Sequence, residues 1–194
     1  MEGLLINPPL KGERNYIQGP DICSFIFAKY QSVSNFKISI KKMSRNSLIV
    51  MNRSSKLDRS KIAGEFTFSD DNEKSTKSFY LVESDRRLTQ RIEYDESELR
   101  RECIISAEQF RITLVKPKNF TTLEAIVSCN KLLATSSVCE QKWLFTKLQL
   151  NYFPLPENEI NLLLTGHVGS IMTNTEIQAN GIKIGTIIFN GVRE

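Results

Sequence analysis

The feature that most constrains this chain is an order of periodicities that occurs twice: a short hydrophobic helix followed by a run of strands. Tyr16-Ile17-Gln18-Gly19-Pro20-Asp21 leads into the apolar run Ile22-Cys23-Ser24-Phe25-Ile26-Phe27-Ala28-Lys29-Tyr30. Pro20 suits a first helical turn, because the amide proton it lacks has no intrahelical partner there. The second helix is predicted over residues 121–133, with Leu123, Ile126, Val127 and Leu133 on its apolar side. Thr121 or Thr122 caps its start, and Glu124 meets the positive end of the helix dipole. The two helices lie about a hundred positions apart, and a strand begins soon after each.

Strands follow from period-two alternation. In the first half they are predicted around Phe36-Ile38-Ile40, Ser47–Met51, Gly64–Phe68 and Ser78–Val82, with a hairpin break at Asp70-Asp71-Asn72-Glu73. Residues 83–101 are densely charged and read as the connection between halves, with Leu88, Ile92 and Leu99 able to form one side of a short surface helix. An extended run, Cys103–Val115, precedes the second helix. Trp143–Leu150 is the strand after it, ended by Pro154-Leu155-Pro156, and Ile160–Leu164, Gly169–Ile177 and Ile182–Phe189 supply further strands. Asn180-Gly181 is a specific hairpin signal because both residues tolerate positive φ. Residue identities do not repeat between the halves; only the order of elements does.

One helix and about four strands bury little surface alone. At 194 residues and 40% apolar composition, a sufficient core follows if the two sheets join edge to edge with both helices on one face. The expected class is therefore α+β, with residues 1–95 and 96–194 as two halves of one structural domain. The entrance Tyr16-Ile17-Gln18-Gly19-Pro20, the helix Leu123-Glu124-Ala125-Ile126-Val127-Ser128-Cys129-Asn130-Lys131 and the strand Trp143-Leu144-Phe145-Thr146-Lys147 resemble the hotdog superfamily, and within it the A-factor biosynthesis (AfsA-like) hotdog proteins. That resemblance implies a double hotdog, two hydrophobic helices packed on an extended antiparallel sheet, with acyl thioesters of coenzyme A or acyl carrier protein in the groove between the halves. Dehydratases, thioesterases and acyl-transfer or condensation enzymes are among such relatives.

The hotdog dehydratase pattern has a catalytic His ahead of a helix that carries an acidic residue. Glu124 resembles the acidic member, but Lys116-Pro117-Lys118-Asn119-Phe120 holds no His, which disfavours a dehydratase. Glu124 is the candidate catalytic group, orienting water or a substrate hydroxyl beside a thioester; the alternative is a carboxylate held structurally by helix-start amides. Asn119 or a helix-start amide is the candidate donor to the carbonyl oxygen. Asn130 and Lys131 are candidates to orient a polar tail or bind its phosphate. Gln18 and Asp21, at the matching entrance of the first half, are either ligand contacts or turn and cap groups. Hydrolysis, acyl transfer, and a non-catalytic scaffold or interaction module all remain open.

Other classes have weaker support. The segment 41–61 carries Lys41, Lys42, Arg45, Arg53, Lys56, Arg59 and Lys61 against the single acid Asp58. It lacks a helical apolar face or zinc-finger spacing, so nucleic acid is disfavoured as its partner; a solvated loop or an acidic carrier fits the same charge. Cys23, Cys103, Cys129 and Cys139 show no metal or disulfide spacing, and no metal cofactor is expected. His167 is expected to face solvent or to be bonded structurally. With no apolar run of membrane length and no basic leader at Met1-Glu2-Gly3-Leu4-Leu5, a cytoplasmic protein is expected, without membrane insertion. A homodimer is open, though two halves already supply each other's partner.

Overall fold

The computed structural model describes residues 3–30, 32–70, 75–101, 103–106, 108–114, 119–155 and 159–192. The chain divides into two compact units, one of Met1–Asp95 with Tyr152–Pro154, the other of Glu96–Asn151 with Leu155–Glu194. Each joins a helix to an antiparallel sheet, and helices are few, as an α+β class requires.

In the first unit, β1 (Leu5–Ile6) and β2 (Leu10–Lys11) precede α1 (Gly19–Lys29), which is followed by β3 (Val33–Ile40), β4 (Asn46–Asn52), β5 (Ile62–Asp70), β6 (Ser75–Arg87) and β7 (Arg91–Ile92). Helix α1 has Pro20 in its first turn and buries Ile22, Cys23, Ile26 and Phe27. Phe27 stacks on Phe153 with ring centroids 3.8 Å apart and meets Phe36 at 4.8 Å. Phe66, Phe68 and Phe79 complete an aromatic core on the sheet.

The second unit contains α2 (Ser97–Arg101), β8 (Cys103–Ser106), β9 (Arg111–Leu114), α3 (Thr122–Ser137), β10 (Lys142–Phe153), β11 (Ile160–Val168), β12 (Met172–Ala179) and β13 (Ile182–Val192). Helix α3 packs on β9 and β11. The two-residue turn Asn180-Gly181 links β12 to β13, with φ of 51° and 76°, as its sequence predicts. Residues Asp71, Asn72 and Glu73 of the first-half hairpin break, Lys116-Pro117-Lys118 and Pro156 lie outside the described residues.

The two units share an order of elements but not a pairing scheme. The second sheet runs β10-β13-β12-β11-β9-β8, so β11, β12 and β13 form a plain meander. In the first, the order β1-β4-β6-β5-β3 places β6 between β4 and β5. Because β6 is antiparallel to both, β4 and β5 run parallel and need a crossover connection. Residues 53–61 provide it, ending in a 3-10 turn at Arg59–Lys61 whose cap is the Asp58 carboxylate, accepting from the Ser60 amide at 2.9 Å.

The expected connection of residues 83–101 is more structured than its charge suggests. Strand β6 continues to Arg87, β7 pairs in parallel with β2, and α2 closes the stretch. The guanidinium of Arg91 ties β7 back by donating to the carbonyls of Gly12 and Arg14 and to Asn15 Oδ1.

Candidate functional site

Sequence singled out six polar residues, and the structure sorts them by what each side chain touches. Glu124 is the third residue of α3 and closes a capping box with Thr121. Its Oε2 accepts from the Thr121 amide and hydroxyl, each at 2.8 Å, while its own amide donates to Thr121 Oγ1 at 3.2 Å. This reciprocal arrangement satisfies donors that a helix start otherwise leaves open. Asn119 is exposed and donates to Glu98 Oε2 at 3.2 Å, while the half-buried Lys131 of α3 lies 3.8 Å from Glu96.

In the first unit, Asp21 forms a buried ion pair with Lys11 on β2, each 9% exposed, with the Lys11 ammonium also 5.2 Å from the centre of the Tyr94 ring. The pair ties α1 to the β2–β7 strap. Gln18 is the N-cap residue of α1, but its side chain makes no capping bond, and its buried Nε2 has no partner. Burial and, secondarily, the Asp21 charge push the nearby Cys23 thiol well above its ordinary value, so it is an inert core thiol.

Asn130 departs most from an ordinary surface amide. It lies in the middle of α3, is 0% exposed, and neither its Oδ1 nor its Nδ2 has a hydrogen-bond partner. Another buried asparagine of the same unit shows what satisfaction looks like. Asn161 accepts from Arg111 Nε at 3.0 Å and Thr113 Oγ1 at 2.6 Å, and donates to Glu159 Oε1 at 3.0 Å. An unmet polar group in an apolar interior costs about 1–3 kcal/mol, and Asn130 carries two such atoms.

The sheet of the second unit carries a second set of such groups that sequence reasoning did not select. On β12, Thr173 and Thr175 are 0% exposed and their hydroxyls are unpartnered. The signal was present: Asn174, Glu176 and Gln178 occupy the other parity of the strand, which turns Thr173, Thr175, Ile177 and Ala179 inward.

The remaining candidates fall elsewhere. His167 is exposed on β11, its Nδ1 3.3 Å from the Gly169 carbonyl. Much of the basic segment is matched by acids distant in sequence: Lys41 and Arg53 by Glu65, Lys42 by Glu83, Lys61 by Asp85. An open cleft of about 480 Å³ lies beside this segment, lined by Tyr30, Asn52, Arg53, Thr76, Lys77, Ser78 and Phe79. Two of its cations face carboxylates already, Arg53 on Glu65 and Lys77 on Asp70 at 2.8 Å. Among the described residues no cluster of His, Cys, Asp or Glu could hold a metal ion, and no helix is long and apolar enough to cross a membrane.

The chain is thus an α+β protein of two helix-and-sheet units. Solved structures similar to it include the 12:0-ACP thioesterase from Umbellularia californica, at TM-score 0.47 and 10% identity over 100% of this chain and 99% of that one. A conserved protein of unknown function with a hot dog fold from Alicyclobacillus acidocaldarius matches at TM-score 0.44 and 9% identity, covering 93% of this chain and 89% of that one. The dehydratase domain from the CurF module of curacin polyketide synthase matches at TM-score 0.41 and 9% identity, covering 92% and 83% respectively. No protein-family model and no curated protein matches the sequence.

Proposed function

We propose that this chain is an acyl-thioester-binding protein of double-hotdog architecture that takes its acyl group on coenzyme A or on the phosphopantetheine of an acyl carrier protein. The observation that carries this reading is Asn130, a carboxamide sealed inside a helix-and-sheet unit with both polar atoms free. An amide of the pantetheine arm can use both atoms, donating to Oδ1 and accepting from Nδ2. The surrounding core residues Ile126, Leu133 and Ala134 of α3 are apolar and suit an acyl chain.

Hydrolysis is the second part of the proposal, with Glu124 as general base. Its carboxylate would take a proton from water as the water oxygen adds to the carbonyl, and the thiol would leave carrying a proton. Glu124 and Asn130 are six residues apart on one helix, which separates them by about 9 Å along the axis and about 120° around it. They do not converge on one atom, so the carbonyl oxygen in such a reaction would need donors at the helix start rather than Asn130.

A non-catalytic scaffold is favoured by two observations of its own: the Glu124 carboxylate is held by the capping box, and Trp143 and Phe145 are buried in the core. The experiment that separates these readings titrates the protein with saturated acyl-CoA and acyl carrier protein thioesters while following both binding and release of free thiol. Asn130→Leu is expected to weaken binding at least tenfold. Glu124→Gln retains a side chain able to complete a capping box, so it should fold normally, bind normally and release no thiol. Undiminished turnover in Glu124→Gln sinks the catalytic role, and failure of every thioester to bind the unaltered protein sinks the proposal.

A further inference from the structure

Two Asn-Gly dipeptides stand at the two ends of β13, Asn180-Gly181 just before it and Asn190-Gly191 within it, each followed by a β-branched residue, Ile182 and Val192. Asparagine before glycine is the pair most prone to lose its side-chain amide, because the following main-chain nitrogen reaches Cγ and glycine has no Cβ to obstruct it. The fold treats the two pairs oppositely. The Gly191 amide donates to the Ile171 carbonyl at 2.8 Å, and a Cβ on Gly191 would collide with Gln141 Nε2 and the Ser170 carbonyl. Asn190 beside it is in register with Leu144 on one side and Met172 on the other. Asn180 and Gly181, by contrast, form the exposed turn between β12 and β13, at φ of 51° and 76°. Among the described residues neither the Gly181 amide nor the Asn180 side chain has a hydrogen-bond partner, and a Cβ on Gly181 would meet nothing within 4 Å.

We propose that Asn180 is a site of spontaneous main-chain modification, and that the sheet protects Asn190 from the same reaction. The proposal is independent of the acyl-thioester reading. At neutral to mildly alkaline pH the Gly181 nitrogen gives its proton to hydroxide and bonds to Asn180 Cγ. The Cγ–Nδ2 bond breaks, and Nδ2 leaves as ammonia, taking a proton from water. The product is a five-membered cyclic imide, which water opens at one of its two carbonyls. Opening at Cγ leaves aspartate; opening at the main-chain carbonyl leaves isoaspartate, whose backbone runs through Cγ and carries one extra methylene. The net change is one water consumed and one ammonia released, with no oxidant or reductant. Aspartate suits the turn, because Asp-Gly adopts the same two-residue conformation. Isoaspartate does not, since a longer backbone at the tightest point of the hairpin works against the Ala179–Ile182 pair that closes it. At Asn190 the attack first requires the end of β13 to open and the Gly191 amide to leave the Ile171 carbonyl, so it waits on local unfolding.

The test incubates the full chain in mildly alkaline buffer, folded and in urea, and follows both sites by peptide mapping. Enzymatic methyl transfer from S-adenosylmethionine reads out isoaspartate. In the folded chain Asn180 is expected to convert about tenfold or more faster than Asn190; in urea, where the two pairs are flanked alike, their rates should come together. The aged folded chain should carry added negative charge on ion exchange and melt at a lower temperature than the fresh chain. Asn180→Gly removes the amide and keeps a residue at ease with positive φ, so it should melt like the fresh parent and hold that value on ageing. Freshly made Asn180→Asp should also melt near the parent, which assigns the ageing loss to the added methylene rather than to the charge. Asn190 converting as fast as Asn180 in the folded chain overturns the assignment, and so does Asn180 remaining an amide under conditions in which the urea-unfolded chain converts. An ageing loss of melting temperature that persists undiminished in Asn180→Gly overturns it as well.

Discussion

Within the second unit, two asparagines are removed from water under opposite conditions. Asn161, 2% exposed, holds Arg111, Thr113 and Glu159 in one network, whereas Asn130 leaves two polar atoms unmet. Their replacement by leucine should therefore shift stability in opposite directions. Asn130→Leu removes a desolvation cost of about 1–3 kcal/mol and is expected to raise the melting temperature by roughly 2–4 °C for each kcal/mol at this chain length. Asn161→Leu strands the Arg111 and Thr113 donors and should lower it by a similar amount. Calorimetric melts of the two variants decide this, and a fall for Asn130→Leu would mean that its amide serves the fold. Sequence made Asn130 a candidate from its place on the helix but left open a solvated surface role; burial removed that alternative. It also made Asp21 a candidate, and the partner that occupies it, Lys11, lies on a two-residue strand too short to be seen as a periodicity. Breaking this buried pair from one side is costly, about 3–5 kcal/mol. Lys11→Met should destabilise the protein by that order, and adding Asp21→Leu should restore much of the loss in urea unfolding.

Individual elements show where the two units correspond and where they differ. Each has a glycine in the strand beside the one that follows its helix: Gly64 of β5 pairs with Ile40 of β3, and Gly185 of β13 with Leu150 of β10. A Cβ on Gly64 would lie 2.6 Å from the Ser39 carbonyl oxygen, and one on Gly185 would lie 2.3 Å from that of Gln149. Both contacts are to backbone, which cannot swing aside. Gly64→Ala and Gly185→Ala should each cost about 1–3 kcal/mol, measured as a drop in the urea midpoint. A neutral result at either would show that the strands separate without penalty there. Local patterns made most elements readable, because alternation, Pro20 at the helix start and Asn180-Gly181 act within a few residues. Pairing order was not readable in the same way. The crossover of residues 53–61 looks like a solvated basic loop until β6 is seen between the strands it joins, and the acids that answer its Arg53 and Lys61 come from β5 and β6. Helix α3 likewise runs on to Ser137 and buries Ser128 and Asn130 along with its apolar side, because packing surrounds more of it than an amphipathic pattern implies.

Across the whole molecule, charge is placed so that cations drawn from one stretch of sequence meet carboxylates from another, and this sets how stability responds to acid. Glu83 is opposed by burial, but hydrogen bonds from Lys42 and Ser44 together with the Lys42 charge outweigh that and hold its carboxyl below the ordinary 4.5. Glu176 is lowered by hydrogen bonds from Gln178 and then Lys183. Both groups have folded values below their unfolded ones, so the folded state binds fewer protons than the unfolded chain as pH falls past 4.5. Their contribution is fully present above the unfolded value and is lost as pH drops through the lower folded values. Stability should accordingly be flat with respect to these groups from pH 7 to about 5 and decline below 4.5. Glu83→Gln and Glu176→Gln combined should make that decline shallower and leave its upper limit near the same pH. The Glu83 and Glu176 side chains keep only 22% and 19% of their surface exposed, so added salt should reduce the difference between variant and parent in part. Urea unfolding at a series of pH values, at low and high ionic strength, measures this directly. An acid decline of unchanged steepness in the double variant would assign it to other carboxylates, with the buried Asp21 of the Lys11 pair and Asp70 of the Lys77 pair as the groups to substitute next.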